Sequence, residues 1–294
     1  MAERRDAREQ GATLAVMAKA PIAGFAKTRL IPRLGAEGAA ALHAVLLERT
    51  LRIAASSGFD AVALWCAPDR RSPFFEALRS AALRSAALSS ASLELDLHDQ
   101  PDGDLGARML AAFEAHLMRG PVVLVGTDCP DLSREHLVTC RAALAGGADV
   151  VLLPARDGGY AAIGLARVDR ALFDGVPWGS SEVLAATRER IRRLGWTAHE
   201  LSLVCDVDEP ETVSGSWRAG CSPPWSGRGS RPTCRDRERN FRLPSSRAAW
   251  TAGGEPITRH NEEVTRGFYE DVADGCAHAG ARGRGRSRRG EEGR

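Results

Sequence analysis

From residue 12 to about 213 the chain alternates short apolar runs with longer amphipathic stretches. That alternation narrows the possible folds more than any other feature of the sequence. The runs that read as strands cover residues 13–18, 61–66, 93–98, 122–126, 150–154 and 161–165, with a last one at 197–204. The stretches between them read as helices over 36–56, 73–88, 104–118, 134–144 and 181–194. In the first of these, Leu42, Leu46, Leu47, Leu51 and Ala54 recur at three- and four-residue steps, which gives one apolar face. Strands separated by helices of ten or more residues imply βαβ units. The expected class is therefore α/β, with a mostly parallel sheet and helices on both faces. Open sheets of this kind bind ligands beyond the carboxyl ends of their strands, so the segments that follow each strand are where chemistry is to be sought.

The pattern stops near residue 213. Beyond it come many Gly, Pro and Ser residues, scattered Trp, and the closing run GARGRGRSRRGEEGR. Sequence of this kind buries too little apolar surface to offset its ordering entropy. The expected division is a flexible N-terminus at 1–11, a folded unit at 12–213, and a low-complexity, disordered basic tail at 214–294. The N-terminal stretch is polar and carries acids, unlike a signal or transit peptide. No run of about 18 apolar residues suggests a membrane span. Seven cysteines without a CxxC pair fit reduced thiols, and hence a cytoplasmic location. A net charge of +2 provides no global field for nucleic acid, so no specific nucleic-acid partner is expected. The arginine–glycine tail keeps one non-catalytic reading open, that of a nucleotide- or RNA-binding protein.

Of 40 basic residues only two are lysines, Lys19 and Lys27, and both fall in MAKAPIAGFAKTRL, directly after the first predicted strand. Lys is a compact point charge suited to a phosphate oxygen, whereas Arg offers a planar fork. A strand, then a basic loop bearing Gly24, then a helix is a common way to hold phosphates. Lys19, Lys27 and Arg29 are the expected phosphate-binding cations; the alternative is a solvated turn.

The second constellation is GTDCPDLS at 126–133. Asp128 emerges from the carboxyl end of the apolar run 122–125. A carboxylate there suits Mg²⁺, which nucleotide enzymes hold with one or two carboxylates plus substrate phosphates. Asp131 or Ser133 could instead cap the helix starting near Arg134. Cys129 reads as a small packing residue. In PARDGGYAAIGL, Asp157, Gly158 and Gly159 form a tight turn before Tyr160. Such a turn can simply close a hairpin, or it can let a substrate approach the main chain, with Asp157 available to substrate hydroxyls. In CDVDEPETV, Asp206 and Asp208 alternate and so face one side of an extended segment, where a cation would relieve their repulsion. The alternative is a capped turn. The histidines, His43 among them, have no metal-ligand spacing. No GxSxG, P-loop or GxGxxG pattern occurs.

Taken in order, KAPIAGFAKTRL, GTDCPDL, ARDGGYAAIGL, PWGSSEVLAAT and DVDEPETV resemble the bacterial DUF2064 family over about residues 12–213. That group is described as GT-A-type glycosyltransferases, or radical-SAM-associated "transferase 1" proteins. It is similar to the nucleotide-diphospho-sugar transferases, a superfamily that also includes molybdenum-cofactor and 2-phospholactate guanylyltransferases. The resemblance implies a GT-A-like three-layer α/β/α sandwich that uses Mg²⁺ or Mn²⁺. It implies that Lys19, Gly24, Lys27 and Arg29 hold the nucleotide phosphates, and that Asp128 and Asp208 bind the metal. Asp128 and Asp157 become the catalytic carboxylates, and Gly158, Gly159 and Tyr160 contact the sugar or acceptor. The expected activity is glycosyl transfer from a nucleotide-sugar to a small-molecule acceptor. The runner-up is nucleotidyl transfer from an NTP to a small phosphorylated acceptor. This chain lacks the GGxxxR loop of sugar nucleotidyltransferases.

Overall fold

Seven strands form a single sheet in the order β3-β2-β1-β4-β6-β5-β7. The computed structural model describes residues 11–88, 95–205, 249–250 and 256–257. The strands are β1 (Thr13–Lys19), β2 (Ala61–Ala67), β3 (Leu95–Asp99), β4 (Val122–Val125), β5 (Val150–Pro154), β6 (Tyr160–Leu165) and β7 (Ala198–Glu200). The helices are α1 (Ile31–Ser56), α2 (Pro73–Leu88), α3 (Leu105–His116), α4 (Arg134–Ala145) and α5 (Val183–Arg193). Two further two-residue strands, β8 (Ala249–Trp250) and β9 (Pro256–Ile257), pair antiparallel, and β8 runs beside α1.

The sheet is mostly parallel, as the alternating pattern requires, with one exception. β6 runs antiparallel to both β4 and β5. Only five residues separate β5 from β6, too few for the crossover that a parallel neighbour needs. The DGG stretch therefore closes a hairpin, which was one of its two sequence readings.

Period-two alternation sorts the side chains between two cores. Leu14 and Val16 of β1, Val62 and Leu64 of β2, and Val123 and Val125 of β4 face one way. There they meet Leu47 and Leu51 of α1, Phe74 and Phe75 of α2, and Leu137 of α4. Ala15, Trp65, Val122, Leu124 and Ile163 face the other way, onto Met109 and Phe113 of α3 and Leu184 and Ile191 of α5. Three helices cover one face and two cover the other, which makes a three-layer α/β/α sandwich. Burying side chains such as Phe75 and Phe113, both fully covered, stabilises the fold by roughly 1.5–3 kcal/mol each.

α1 includes one non-helical residue, Gly35, so its regular part begins where the apolar periodicity does. By length and composition, residues 28–56 could also cross a membrane. The apolarity has a local use here, because Leu42, Leu46, Leu47 and Leu51 are all buried in the fold.

Candidate functional site

The strand order reverses between β1 and β4. β1 pairs with β2 on one side and β4 on the other, both parallel. The crevice beyond the carboxyl ends of such a strand pair is the usual ligand position in open α/β sheets. Two of the sequence-predicted groups meet there. Lys27 Nζ, from the loop after β1, lies 2.7 Å from Asp128 Oδ1, from the loop after β4. The lysine side chain is 2% exposed and the aspartate 49%. Oδ1 itself is covered, so the exposed part of the carboxyl group is the remainder, turned to solvent.

The backbone delivers Lys27 at a conformational cost. It is the one non-glycine residue with positive φ among the described residues, at φ 49° and ψ 44°. A left-handed conformation costs an L-residue about 1–2 kcal/mol. Its electrostatic consequence is seen at Asp128. Burial pushes the Asp128 pKa up, but the charge and hydrogen bond of Lys27, helped by a lesser contribution from the charge of Lys19, more than offset this. The carboxyl is held below its ordinary value and stays ionised.

α1 clamps both loops. His43 Nε2 lies 3.0 Å from the Lys19 carbonyl oxygen, and Arg49 donates to the Leu132 carbonyl at 2.8 Å. Because a carbonyl only accepts, Nε2 carries the proton in that bond. Neutral His43 therefore turns the lone pair of Nδ1 toward the site, 3.9 Å from Asp128 Oδ1 and without a hydrogen-bond partner among the described residues. Burial holds its pKa below the ordinary histidine value. Sequence reasoning missed His43, and no local signal could have found it. Its relation to Asp128 spans 85 positions and exists only once β1, α1 and β4 have packed.

The other residues predicted from the sequence to bind phosphate are more open. Lys19 is exposed at the end of β1, with Nζ 5.8 Å from the Phe25 ring centroid, an exposed cation–π distance. Arg29 and Gly24 are exposed, and Gly24 takes φ +82° in the turn. In the loop after β4, Ser133 caps α4 by accepting from His136 N–H, and His136 reciprocates. Asp131 is not the cap. It accepts instead from Cys205 N–H at 3.0 Å, while the Cys129 thiol donates to the Cys205 carbonyl at 3.1 Å. The chain is thereby fastened beside the Asp128 loop immediately before Asp206. Asp206 and Asp208 lie outside the described residues.

The β5–β6 turn sits at the same edge of the sheet, since Val125 of β4 is paired with Ala162 of β6. Asp157 is exposed, and its Oδ1 accepts from Gly159 N–H at 2.8 Å. Gly158 has φ +87°, and a Cβ there would collide with the Ser181 carbonyl oxygen. Its carbonyl accepts from Leu184 N–H at the start of α5. The Tyr160 ring packs into the core, and its hydroxyl is buried beside Thr187 of α5, with its pKa raised by that burial. Trp178 likewise lies in the core, against Gly106 of α3.

The Asp128 carboxylate is an oxygen donor of the kind a hard divalent cation prefers. Among the described residues no cluster of three or more His, Cys, Asp or Glu could enclose a metal. An ion at Asp128 would complete its shell with phosphate oxygens and water, which is how Mg²⁺ is usually held.

Residues 50–180 match the family model described as "Uncharacterized protein conserved in bacteria (DUF2064)". That region spans Asp128 and the Asp157–Tyr160 turn and begins after the lysine loop. Among solved structures, the chain is similar to a candidate nucleotide-diphospho-sugar transferase from Desulfovibrio desulfuricans G20. The two are 27% identical over 67% of this chain and 82% of that one, with a TM-score of 0.57. A nucleotidyl transferase from Methanothermobacter thermautotroptrophicus is 18% identical over 68% and 92% of the two chains, with a TM-score of 0.43. A manganese complex from Mycobacterium tuberculosis H37Rv is 18% identical over 68% and 93%, with a TM-score of 0.39. These two are too distant to inform function. No protein with a curated description matches this chain. Residues 50–180 thus sit in an α/β sandwich similar to that of the D. desulfuricans structure.

Proposed function

We propose that this protein is a metal-dependent transferase that uses an activated nucleotide, moving a sugar from a nucleotide-sugar donor to a small-molecule acceptor. The observation that carries the reading is the 2.7 Å meeting of Lys27 and Asp128 at the switch point of the sheet. A cation for phosphate and a carboxylate for metal come from loops a hundred residues apart, and the hydrophobic core alone would require neither. The likeness to the D. desulfuricans structure supports the same reading.

In this reading Lys27, Lys19 and Arg29 bind the diphosphate, with Gly24 shaping the loop. Asp128 would hold Mg²⁺ or Mn²⁺, with Asp208 as the second carboxylate. The ion, when bound, supplies charge neutralisation to the departing diphosphate. Asp157 and the main chain at Gly158 and Gly159 face the sugar or acceptor. Tyr160 lends the wall of that subsite, since its hydroxyl is turned into the core. The bond from the anomeric carbon to the acceptor oxygen forms as the bond to the β-phosphate oxygen breaks. The nucleoside diphosphate leaves with the electron pair, and the acceptor proton passes to a carboxylate or to water. Positioning and charge stabilisation provide the rate gain.

The test is to incubate the purified chain with nucleotide-sugars and with NTPs, each with Mg²⁺ or Mn²⁺, and to assay the released phosphate species. Nucleoside diphosphate from a nucleotide-sugar is the expected product. Pyrophosphate from an NTP would move the assignment to nucleotidyl transfer. No turnover, with no nucleotide-dependent rise in melting temperature, would overturn the enzyme reading.

A further inference from the structure

We infer that Lys27 serves as the resident counter-cation of Asp128, and that a divalent metal gains this carboxylate only when a nucleotide diphosphate draws the ammonium away. The inference rests on the nucleotide reading above and adds an order of binding to it. Its basis is the contact itself. The ammonium lies on Oδ1 at 2.7 Å with its side chain buried, whereas the carboxylate remains half-exposed. A metal at Asp128 would therefore bring a second positive charge next to a covered ammonium. Their repulsion in a partly desolvated site is large compared with the same pair in water.

His43 sharpens the competition. Its Nε2 proton is committed to the Lys19 carbonyl, so the neutral ring offers Asp128 only a lone pair at 3.9 Å and no donor. The negative charge is thus matched by Lys27, and the favourable replacement for Lys27 is another cation. A diphosphate entering beyond β1 and β4 presents several anionic oxygens to the ammonium. Once Lys27 turns to these, Asp128 is available to an ion that also ligates the phosphates. Metal and nucleotide then bind with positive coupling, which must be equal in both directions.

The experiment measures Mn²⁺ affinity of the full chain by the electron paramagnetic resonance signal of free Mn²⁺. Wild type, Lys27→Met and Lys19→Met are each titrated with and without ADP, CDP, GDP and UDP, and thermal melts check that every variant is folded. Without diphosphate, Lys27→Met should bind Mn²⁺ at least tenfold more tightly than wild type. Lys19→Met, which removes an equal charge without the contact, should change it less than threefold. The best diphosphate should tighten Mn²⁺ binding more in wild type than in Lys27→Met. If Lys27→Met fails to fold, the wild type decides: Mn²⁺ affinity that does not respond to any diphosphate it binds overturns the inference. Equal Mn²⁺ affinities in wild type and Lys27→Met, with the wild type still binding a diphosphate, would also overturn it while leaving the transferase reading intact. Failure of every diphosphate to bind wild type would remove the transferase reading, and the inference with it.

Discussion

Two turns at the same edge of the sheet carry suggestive residues, and they differ in how much of their chemistry the fold itself requires. At the β5–β6 turn each conspicuous residue has a structural duty. Gly158 admits the Ser181 backbone, Asp157 closes the turn onto Gly159 N–H, and Tyr160 fills core beside α5. At the loops after β1 and β4 the reverse holds. A buried lysine in a left-handed conformation, paired with a half-exposed aspartate, stabilises a fold poorly, because desolvation offsets much of the attraction. Residues that a fold does not need, held at the crevice where sheets of this kind usually bind ligands, are the better evidence for function.

The contrast can be broken by substitution, and the largest effect belongs to the structural turn. Gly158→Ala places a methyl group on the Ser181 carbonyl at positive φ. It should lower stability by about 2–5 kcal/mol, combining the left-handed penalty with overpacking. Denaturant unfolding measures this, and a loss below about 1 kcal/mol would mean the turn is less constrained than its geometry implies. Lys27→Met should do the opposite. It should weaken nucleoside diphosphate binding at least tenfold by calorimetry, about 1.4 kcal/mol, while leaving stability within about 1 kcal/mol because solvent reaches Asp128. A large stability loss with unchanged affinity would make the pair structural.

The pH dependence sharpens the comparison further. His43, His116 and His136 all have pKa values lowered chiefly by burial. Their folded forms resist protons that the unfolded chain accepts below about pH 6.5. Stability from the neutral rings is therefore present above that value and lost as pH falls beneath it. Melting temperature should decline on acidification through this range, and His43→Asn should lessen the slope. An unchanged slope would show that His43 is not held neutral by its setting. The smallest effect is expected from Tyr160→Phe. Removing this buried hydroxyl, whose one neighbouring polar side chain among the described residues is Thr187, should alter stability by less than about 1 kcal/mol. A larger drop in donor affinity than in stability would return the hydroxyl to the substrate.

Much of the fold was legible because burial leaves period-specific marks. The residues 73–88 and 150–154 form the helix and strand their patterns predict, and the charged residues after β1 and β4 pointed to the crevice. What escaped was non-local. The apolar run of β6 looks the same in either direction, and only the short connection to β5 fixes it as antiparallel. Asp131 looked like a helix cap until Cys205 arrived from 74 residues away to claim its carboxylate. Gly158 is needed for a contact with Ser181, and His43 matters through Lys19 and Asp128. None of these partners is adjacent in sequence.

The most direct measurement is an anomalous difference map from crystals grown with Mn²⁺ and a nucleoside diphosphate. The expected result is a peak within about 2.5 Å of the Asp128 carboxylate, with Lys27 Nζ turned from Oδ1 to a phosphate oxygen. A metal or nucleotide bound elsewhere, with the Lys27–Asp128 contact intact, would contradict the assignment of this crevice as the active site.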